Sequence, residues 1–585
     1  MARKSAMQHA YLMGVLPQQQ RTTGVPMPAP VGGINTISPA SAMRATDCLS
    51  LTNLIPFQYG LRVRSGYYEW TKYVRDLVSM ENEFAAIRTL IPFTGSADSG
   101  SRDRLFAVTT DGIYDVTKAD PDNVAGPTLM FGAADGWLRT AKAGTGTFSA
   151  FVNVAGDHYL AYCDEVNGYL LYREATDDWV KIVSGTGLDG LSISGAAPEN
   201  FRSVTLWKKR LWFTTADSAE AVYLPVNQFA GVVDNNDVLA GGTLNFGSQF
   251  RYGGNLAGLW SWTLDGGQGV DDLLVGISRA GDVVVYQGTD PAFADSFGIK
   301  GVYWLGPVPP GRRFASDFGG DLFVLSVAGC LPLSRLVTGG LIRDPNIYET
   351  AKVSNLFNKL MSERGSLEGW AITQHPTDNL LVINVPPIAG KQPEQLVMSL
   401  ANKGWAAYSG LPINCMTTWH GKLYFGTTDG RVCVNLGTTD SKFYAERIVG
   451  EGVTWDYGNY PNPLPINFSL LSSFQHLGST AKKRVHMARP YFMVEGQPPG
   501  YEVAVRYDYN LTPVDLASVD LGIPQPAWDI DLWDNAYWGS GYGTGGWQYG
   551  TTGIGTAVAV AVRGSASVTT TLVNIDVLLD QGGLL

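Results

Sequence analysis

Charge and cysteine are both scarce in this sequence. Only 16% of its 585 residues are Asp, Glu, Lys or Arg, and its five cysteines (Cys48, Cys163, Cys330, Cys415, Cys433) are dispersed, odd in number and never arranged as CxxC. That pattern argues against a disulfide framework and against a zinc cluster. It reads as small buried hydrophobes in a reducing compartment. Six histidines never form HxH or HExxH, so no metalloprotease-type site is written here. His476 and His486 are the only two near each other in sequence, and both are expected to be structural imidazoles. No apolar run approaches the ~20 residues of a membrane helix, so no stable membrane insertion is expected. Ala10–Leu16 is apolar but short and is followed by glutamines, not by a cleavage site. No signal peptide is therefore expected, and the product should be soluble and made in a cytoplasm.

What is plentiful points one way. Gly (69), Pro (31) and aromatics (11%) suit many short strands and turns better than helices. The length calls for two to four domains, or one repeat array with additions. A formal net charge of −11 argues against a surface that coats nucleic acid, since such binding depends on cations neutralising phosphates. A pore that DNA slides through stays compatible with it.

The chain repeats itself. Leu105–Gly112 reads LFAVTTDG and Leu423–Gly430 reads LYFGTTDG, each followed at once by a second apolar strand. Asp-Gly between two such runs favours a tight hairpin. Val204–Thr214 and Met416–Gly426 echo each other too, with Trp207 and Trp419 at the same place before their strands. Strand starts fall at Leu105, Tyr159, Leu211, Leu273, Leu322, Leu380 and Leu423, roughly fifty residues apart, near the period of propeller blades with generous loops. The spacing predicts an all-β chain: a β-propeller of six or seven blades over residues 84–440.

The flanks read differently. Residues 1–30 form a polar, then Pro-rich arm, either disordered or ordered only against a partner subunit. Residues 31–83 supply strands that join a platform or close the propeller, with Arg62 and Arg64 expected on a half-exposed strand. Residues 441–585 form a C-terminal β-sandwich-like platform domain with strands at 468–474, 485–494, 501–507, 556–564 and 570–579. Ala351–Glu363 places Val353, Leu356, Phe357, Leu360 and Met361 on one face of a helix packed on a blade or a neighbouring subunit.

No constellation for catalysis emerges. Gly185–Gly190 satisfies GxGxxG but is followed by LSISG, without a helix to complete a phosphate cradle. Asp265, Asp271 and Asp272 fit no EF-hand and read as a solvated turn. No sialidase box and no GxSxG elbow is present, and Asp and Glu are scattered where a propeller glycosidase needs paired carboxylates. No cofactor, metal or catalytic residue is expected. The interaction candidates are Trp528, Trp533, Trp538 and Trp547 in the Gly/aromatic loop 528–550, and the basic cluster Lys482, Lys483 and Arg484. Lys208–Arg210 and Arg312–Arg313 are the other basic clusters, read as solvated hairpin ends, or as DNA-backbone or subunit contacts.

Several passages resemble the tail nozzle proteins (tail tubular protein B-like) of short-tailed bacteriophages. They are VGGINTISPASAM with NLIPFQYGLRVRSGY, DDLLVGISRAGDVVVYQGTDP at 271–291, GVYWLGPVPPGRR at 301–313, KLYFGTTDGRV at 422–432, and the ending AVAVAVRGSASVTTTLVNIDVLLDQGGL. The resemblance implies a propeller with an added platform, and a homohexamer in the virion tail below portal and adaptor (head-to-tail connector) rings. It also implies tail fibres or spikes as neighbours and a lumen that genomic DNA passes through without sequence-specific binding. It carries over no catalytic residue. The alternative is a propeller lectin or glycan-processing enzyme acting on the host surface, which predicts carboxylates or aromatics converging at the propeller axis.

Overall fold

The computed structural model describes residues 22–71, 85–119, 127–187, 190–263, 272–293, 295–339, 344–440, 447–449, 452–454, 464–496, 498–511, 517–519, 548–549 and 553–581. Trp528, Trp533, Trp538 and Trp547 lie outside these residues. The fold is all-β, and the chain divides into two compact units: Ser65–Leu464, and Met1–Arg64 together with Pro465–Leu585.

The first unit is a β-propeller with seven blades among the described residues. Blade 1 runs from Thr89 to Phe131, blade 2 from Gly146 to Lys181, blade 3 from Phe201 to Asn245 and blade 4 from Leu256 to Trp304. Blade 5 spans Ala315–Pro332 and blade 6 spans Ala371–Ser409. Blade 7 takes Cys415–Trp419, Lys422–Gly426 and Val432–Val434, and its outer strand is Tyr68–Thr71. A strand that precedes blade 1 thus latches the last blade. The seven strand starts read from sequence all fall in the second strand of successive blades, because that strand is buried on both faces and is the most uniformly apolar.

The tryptophan echo has a packing reason. Trp207 ends the innermost strand of blade 3 and packs with Leu256, Leu259 and Leu274 of blade 4. Trp419 ends the innermost strand of blade 7 and packs with Leu90, Leu105 and Tyr114 of blade 1. After each comes a two-residue turn with positive φ (Lys208–Lys209, His420–Gly421), the geometry that matches the twist of a tight hairpin. A wedge between consecutive blades is the shared role.

Blade 5 has three strands. The helix Ser354–Arg364 and the 3-10 turn Glu349–Val353 before it lie beside its third strand, where Thr350 Oγ1 accepts from the Cys330 amide at 3.0 Å. Val353, Phe357, Leu360 and Met361 are buried as the periodicity predicts, and Leu356 is half-buried. Trp370 beside blade 6 stacks toward Phe357 and donates to the Arg364 carbonyl at 3.0 Å.

The second unit is a two-sheet sandwich. One sheet orders Leu54–Pro56, Leu61–Val63, Thr570–Gln581, Lys483–Val494 and Gln548–Tyr549. The other contains Gly33–Ile34, Asp47–Thr52, Leu464–Ser472, Val558–Ala566, Gly500–Tyr507 and Ala517–Val519. Phe492 of the first sheet meets Phe468 and Tyr501 of the second at centroid distances of 6.0 and 5.3 Å.

Two expectations change here. Residues 23–28 are neither disordered nor waiting for a partner subunit: Thr23–Pro28 pairs antiparallel along Asn574–Leu579 of the same chain. Pro26 and Pro28 sit at alternate positions, so both missing N–H groups fall on one side of the strand, which an edge strand tolerates. Arg64 is not half-exposed. It is 2% exposed, and its Nε donates to Asn53 Oδ1 at 2.9 Å, while Arg62 lies 4.2 Å over the Phe57 ring.

The two TTDG hairpins join the second and third strands of blades 1 and 7, but their aspartates differ. Asp429 is 45% exposed and pairs with Arg431 within the turn. Asp111 is 2% exposed and accepts from Arg139 Nε at 2.6 Å, so it does more than shape its turn. Gly112 has φ +154° and a Cβ there would meet the Phe131 carbonyl at 2.2 Å. In urea unfolding, Gly112→Val should cost at least about 2 kcal/mol. Asp111→Asn should cost roughly 1–3 kcal/mol, and Asp429→Asn no more than about 0.5 kcal/mol.

Candidate functional site

Propeller chemistry, where it exists, gathers on the axis, so that is where the side chains matter. The innermost strands of neighbouring blades are stitched by side chains. Thr89 Oγ1 of blade 1 donates to the Gly144 carbonyl (2.7 Å) ahead of blade 2, and Thr147 of blade 2 accepts from the Val204 amide of blade 3 (2.9 Å). Thr418 of blade 7 donates to the Gln374 carbonyl of blade 6 (2.9 Å), and Asn414 ahead of blade 7 donates to the Ile87 carbonyl ahead of blade 1 (2.7 Å).

The segment Leu305–Phe314 connects the outer strand of blade 4 to the innermost strand of blade 5, and it carries two arginines to the axis. Arg312 is 8% exposed. Its Nε donates to Glu165 Oε1 of blade 2 at 2.6 Å, and its Nη1 donates to Thr214 Oγ1 of blade 3 at 3.1 Å and to the Ala257 carbonyl of blade 4 at 2.8 Å. Arg313 turns to the other side of the ring. Its Nη2 donates to the Arg88 carbonyl ahead of blade 1 at 2.8 Å, and its own carbonyl accepts from the Ile372 amide of blade 6 at 3.3 Å. Its charge also reaches blade 7, where burial pushes the Cys415 thiol up and Arg313 draws it partly back.

Arg279, in the turn between the second and third strands of blade 4, holds the loop from beneath. Its Nη1 donates to the Pro309 and Gly311 carbonyls at 3.1 and 2.6 Å, and its own carbonyl accepts from the Val308 amide. Burial, reinforced by the neighbouring Arg312 charge, lowers its pKa to about 10. Hydrogen bonds from the two consecutive arginines of this loop therefore reach blades 2, 3, 4 and 6 and the entry to blade 1, and the strand they precede belongs to blade 5. A guanidinium is well fitted to link them, being planar, permanently charged and equipped with five donors in a fixed fork.

The basic clusters found in the sequence fall into different environments. Arg312 is buried and Arg313 half-buried, and both are bonded to blades in place of forming a free hairpin end. Arg210 is 3% exposed, ion-pairs with Asp290 at 3.1 Å and covers the Tyr223 ring, while half-buried Lys208 and exposed Lys209 form the turn beside it. Lys483 is fully buried in the sandwich. Its ammonium donates to the Ser479 carbonyl and, at 3.0 Å each, to the Ala481 and Thr556 carbonyls, and burial lowers its pKa. Lys483 is therefore not the surface contact residue expected from sequence, whereas its neighbours Lys482 and Arg484 are exposed. His486 Nε2 lies 2.7 Å from Asp580, and His476 Nδ1 lies 3.2 Å from the Thr556 carbonyl. All five cysteines are buried thiols. Among the described residues, no group of three or more His, Cys, Asp or Glu side chains is placed to hold a metal ion.

No protein family matches the chain, and no curated protein does. Among solved structures it is similar to the extracellular domain of a putative hybrid two-component system from B. thetaiotaomicron, at 10% identity and TM-score 0.36, covering 75% of this chain and 54% of that one. It is also similar to PorZ, a surface component of the type-IX secretion system of Porphyromonas gingivalis, at 10% identity and TM-score 0.30, covering 72% and 45%. The chain thus spans about half the length of each. Neither likeness extends to function.

Sequence reasoning missed the arginine hub. A Pro-Pro-Gly-Arg-Arg turn reads as surface, and the Arg312 partner Glu165 stands 147 residues away. The signal available was the uncharged company of the pair: no acidic residue lies between Asp295 and Asp317 to neutralise it locally. Arg312→Ala should lower unfolding free energy by roughly 3–5 kcal/mol. Arg312→Lys should recover less than half of that loss, because an ammonium cannot span three blades. Equal stability of Arg312→Lys and the parent in urea would show that charge alone suffices.

Proposed function

We propose that this chain is a structural subunit of a short phage tail, a nozzle of which six copies form a ring around the path of the genome. The single observation that carries the reading is the occupied axis. Where a propeller enzyme or lectin holds its ligand, this propeller places Arg312 and Arg313, engaged with its own blades.

Other features support the same reading. The passages resembling nozzle proteins fall on wall-building parts. Residues 271–291 cover the second and third strands of blade 4, 422–432 cover the second strand of blade 7 and the turn after it, 301–313 contains the hub, and the C-terminal passage makes two long sandwich strands. With the propeller axis taken up by side chains, the DNA path lies in a lumen between copies. A net charge of −11 suits such a lumen, since like charge lets DNA slide without sticking. Adaptor-ring proteins and tail fibres or spikes are the neighbours this role requires, and Lys482 and Arg484 are candidates for contacting them.

The test is electron microscopy of the purified chain, alone and with co-expressed tail components, paired with a polysaccharide-hydrolysis assay. Rings with sixfold symmetry and no hydrolysis are the expected outcome. A persistent monomer that binds or cleaves host-surface glycan, with binding lost in Trp533→Ala or Trp538→Ala, would replace this reading with the lectin or enzyme one.

A further inference from the structure

The latch that closes the propeller is pinned by a side chain that titrates. His375 ends the innermost strand of blade 6 and is 3% exposed. Asn435 follows the third strand of blade 7. Its Nδ2 donates to the Gly66 carbonyl at 2.7 Å and to the Ser65 carbonyl at 3.3 Å, just ahead of the latch strand Tyr68–Thr71. Both amide protons of Asn435 are spent there, so its Oδ1 accepts from His375 Nε2, 3.0 Å away. That places the proton of a neutral imidazole on Nε2 and leaves Nδ1 to accept from the Asp378 amide at 3.4 Å. A further contact closes the circuit: Ser65 Oγ donates to Asp378 Oδ2 at 3.0 Å.

This circuit suits the uncharged ring. A second proton goes to Nδ1, where it stands donor against donor with the Asp378 amide. The imidazolium also competes for the Asp378 carboxylate, whose Oδ2 lies 3.7 Å from Nε2. Drawing that oxygen onto the ring takes it from Ser65. Asp378, the carboxylate facing the ring, comes from the turn that follows His375, while the latch entry and blade 7 bring the uncharged Ser65, Gly66 and Asn435 to the circuit.

We infer that His375 is a proton-operated release for the latch: the neutral imidazole holds the latch entry against blade 7, and protonation loosens it. With the latch open, Asp378 is no longer shared with Ser65 and pairs fully with the imidazolium, so the open form binds the proton more tightly than the closed one. Latch strength is therefore greatest with the ring neutral and is lost as acid protonates it, in the imidazole range around about pH 6.5. The device belongs to the propeller alone and stands whether or not the chain forms rings.

The experiment is native-state hydrogen exchange on the full chain at about pH 7.5 and about pH 5.5, with rates corrected for intrinsic exchange. The amides of Gly66 and Tyr67, which donate to the Gly437 and Thr439 carbonyls at 2.8 and 3.2 Å, report the latch, and Val275 and Ile277 in the buried second strand of blade 4 are the reference. Relative to that reference, protection of Gly66 and Tyr67 should fall about tenfold at the lower pH. In His375→Gln, whose side-chain amide donates to Asn435 and does not titrate, the fall should vanish. In Asp378→Asn, which keeps an acceptor for Ser65 but removes the competing carboxylate, it should shrink to about a third or less. Equal protection at the two pH values in the parent, or an undiminished fall in either variant, would overturn the inference. Because the readout is a pH dependence measured against reference amides, a less stable variant still decides the question.

Discussion

A propeller brings the starts of its innermost strands to one axis, and each start carries backbone groups that have lost their regular ladder partners. Buried carbonyls left without donors would be costly, at roughly 1–3 kcal/mol each. This chain supplies donors from its own side chains. Arg312 and Arg313 reach from one loop to carbonyls and side chains on opposite sides of the ring, and Glu165 balances part of the charge. Arg279 then fixes the loop that delivers them. Removing a partner from such a set costs more than the set contributes, since the remaining charge stays buried. The latch of Tyr68–Thr71 on the outer side of blade 7 and the tryptophan wedges between consecutive blades add to what the arginines hold.

That arrangement bears on function. A ligand site of the glycosidase kind needs an open axis lined by carboxylates. Here two arginines bonded to the scaffold reach across the ring, and among the described residues the one carboxylate that touches them, Glu165, is paired. This arrangement is what the proposed role as a stiff wall segment of a larger assembly would need. The sandwich is reinforced in a comparable way, with Lys483 donating to three carbonyls in its interior and the strand Thr23–Pro28 laid along the C-terminal strand.

Much of the fold is legible in the sequence because it is local. Short apolar runs at a regular spacing locate the second strand of every blade, and Asp-Gly locates two hairpins. A 3.6-residue period locates the helix at 354–364, whose Phe357 and Leu360 face inward. What escapes depends on long-range partners. Arg312, Arg64 and Lys483 look like ordinary surface cations in sequence, and each is buried with at least one acceptor that another element of the fold brings to it. Asp111 and Asp429 sit in the same four-residue text. Only the first has an arginine brought against it from the loop after blade 1's last strand. The arm at 23–28 escapes for a related cause: its proline pattern is compatible with an edge strand, but nothing local names the strand that receives it.

The central claim is that the loop Pro307–Arg313 is part of the propeller core and not a surface connection. Native-state hydrogen exchange tests this most directly, through the amides of Val308, Val327 and Ile372, which donate to Arg279, Pro307 and Arg313. The account predicts that all three exchange as slowly as the buried second-strand amides of blades 4 and 6, and speed up together with them in Arg312→Ala. Fast, independent exchange of these amides on a parent protein whose blades stay protected would contradict it.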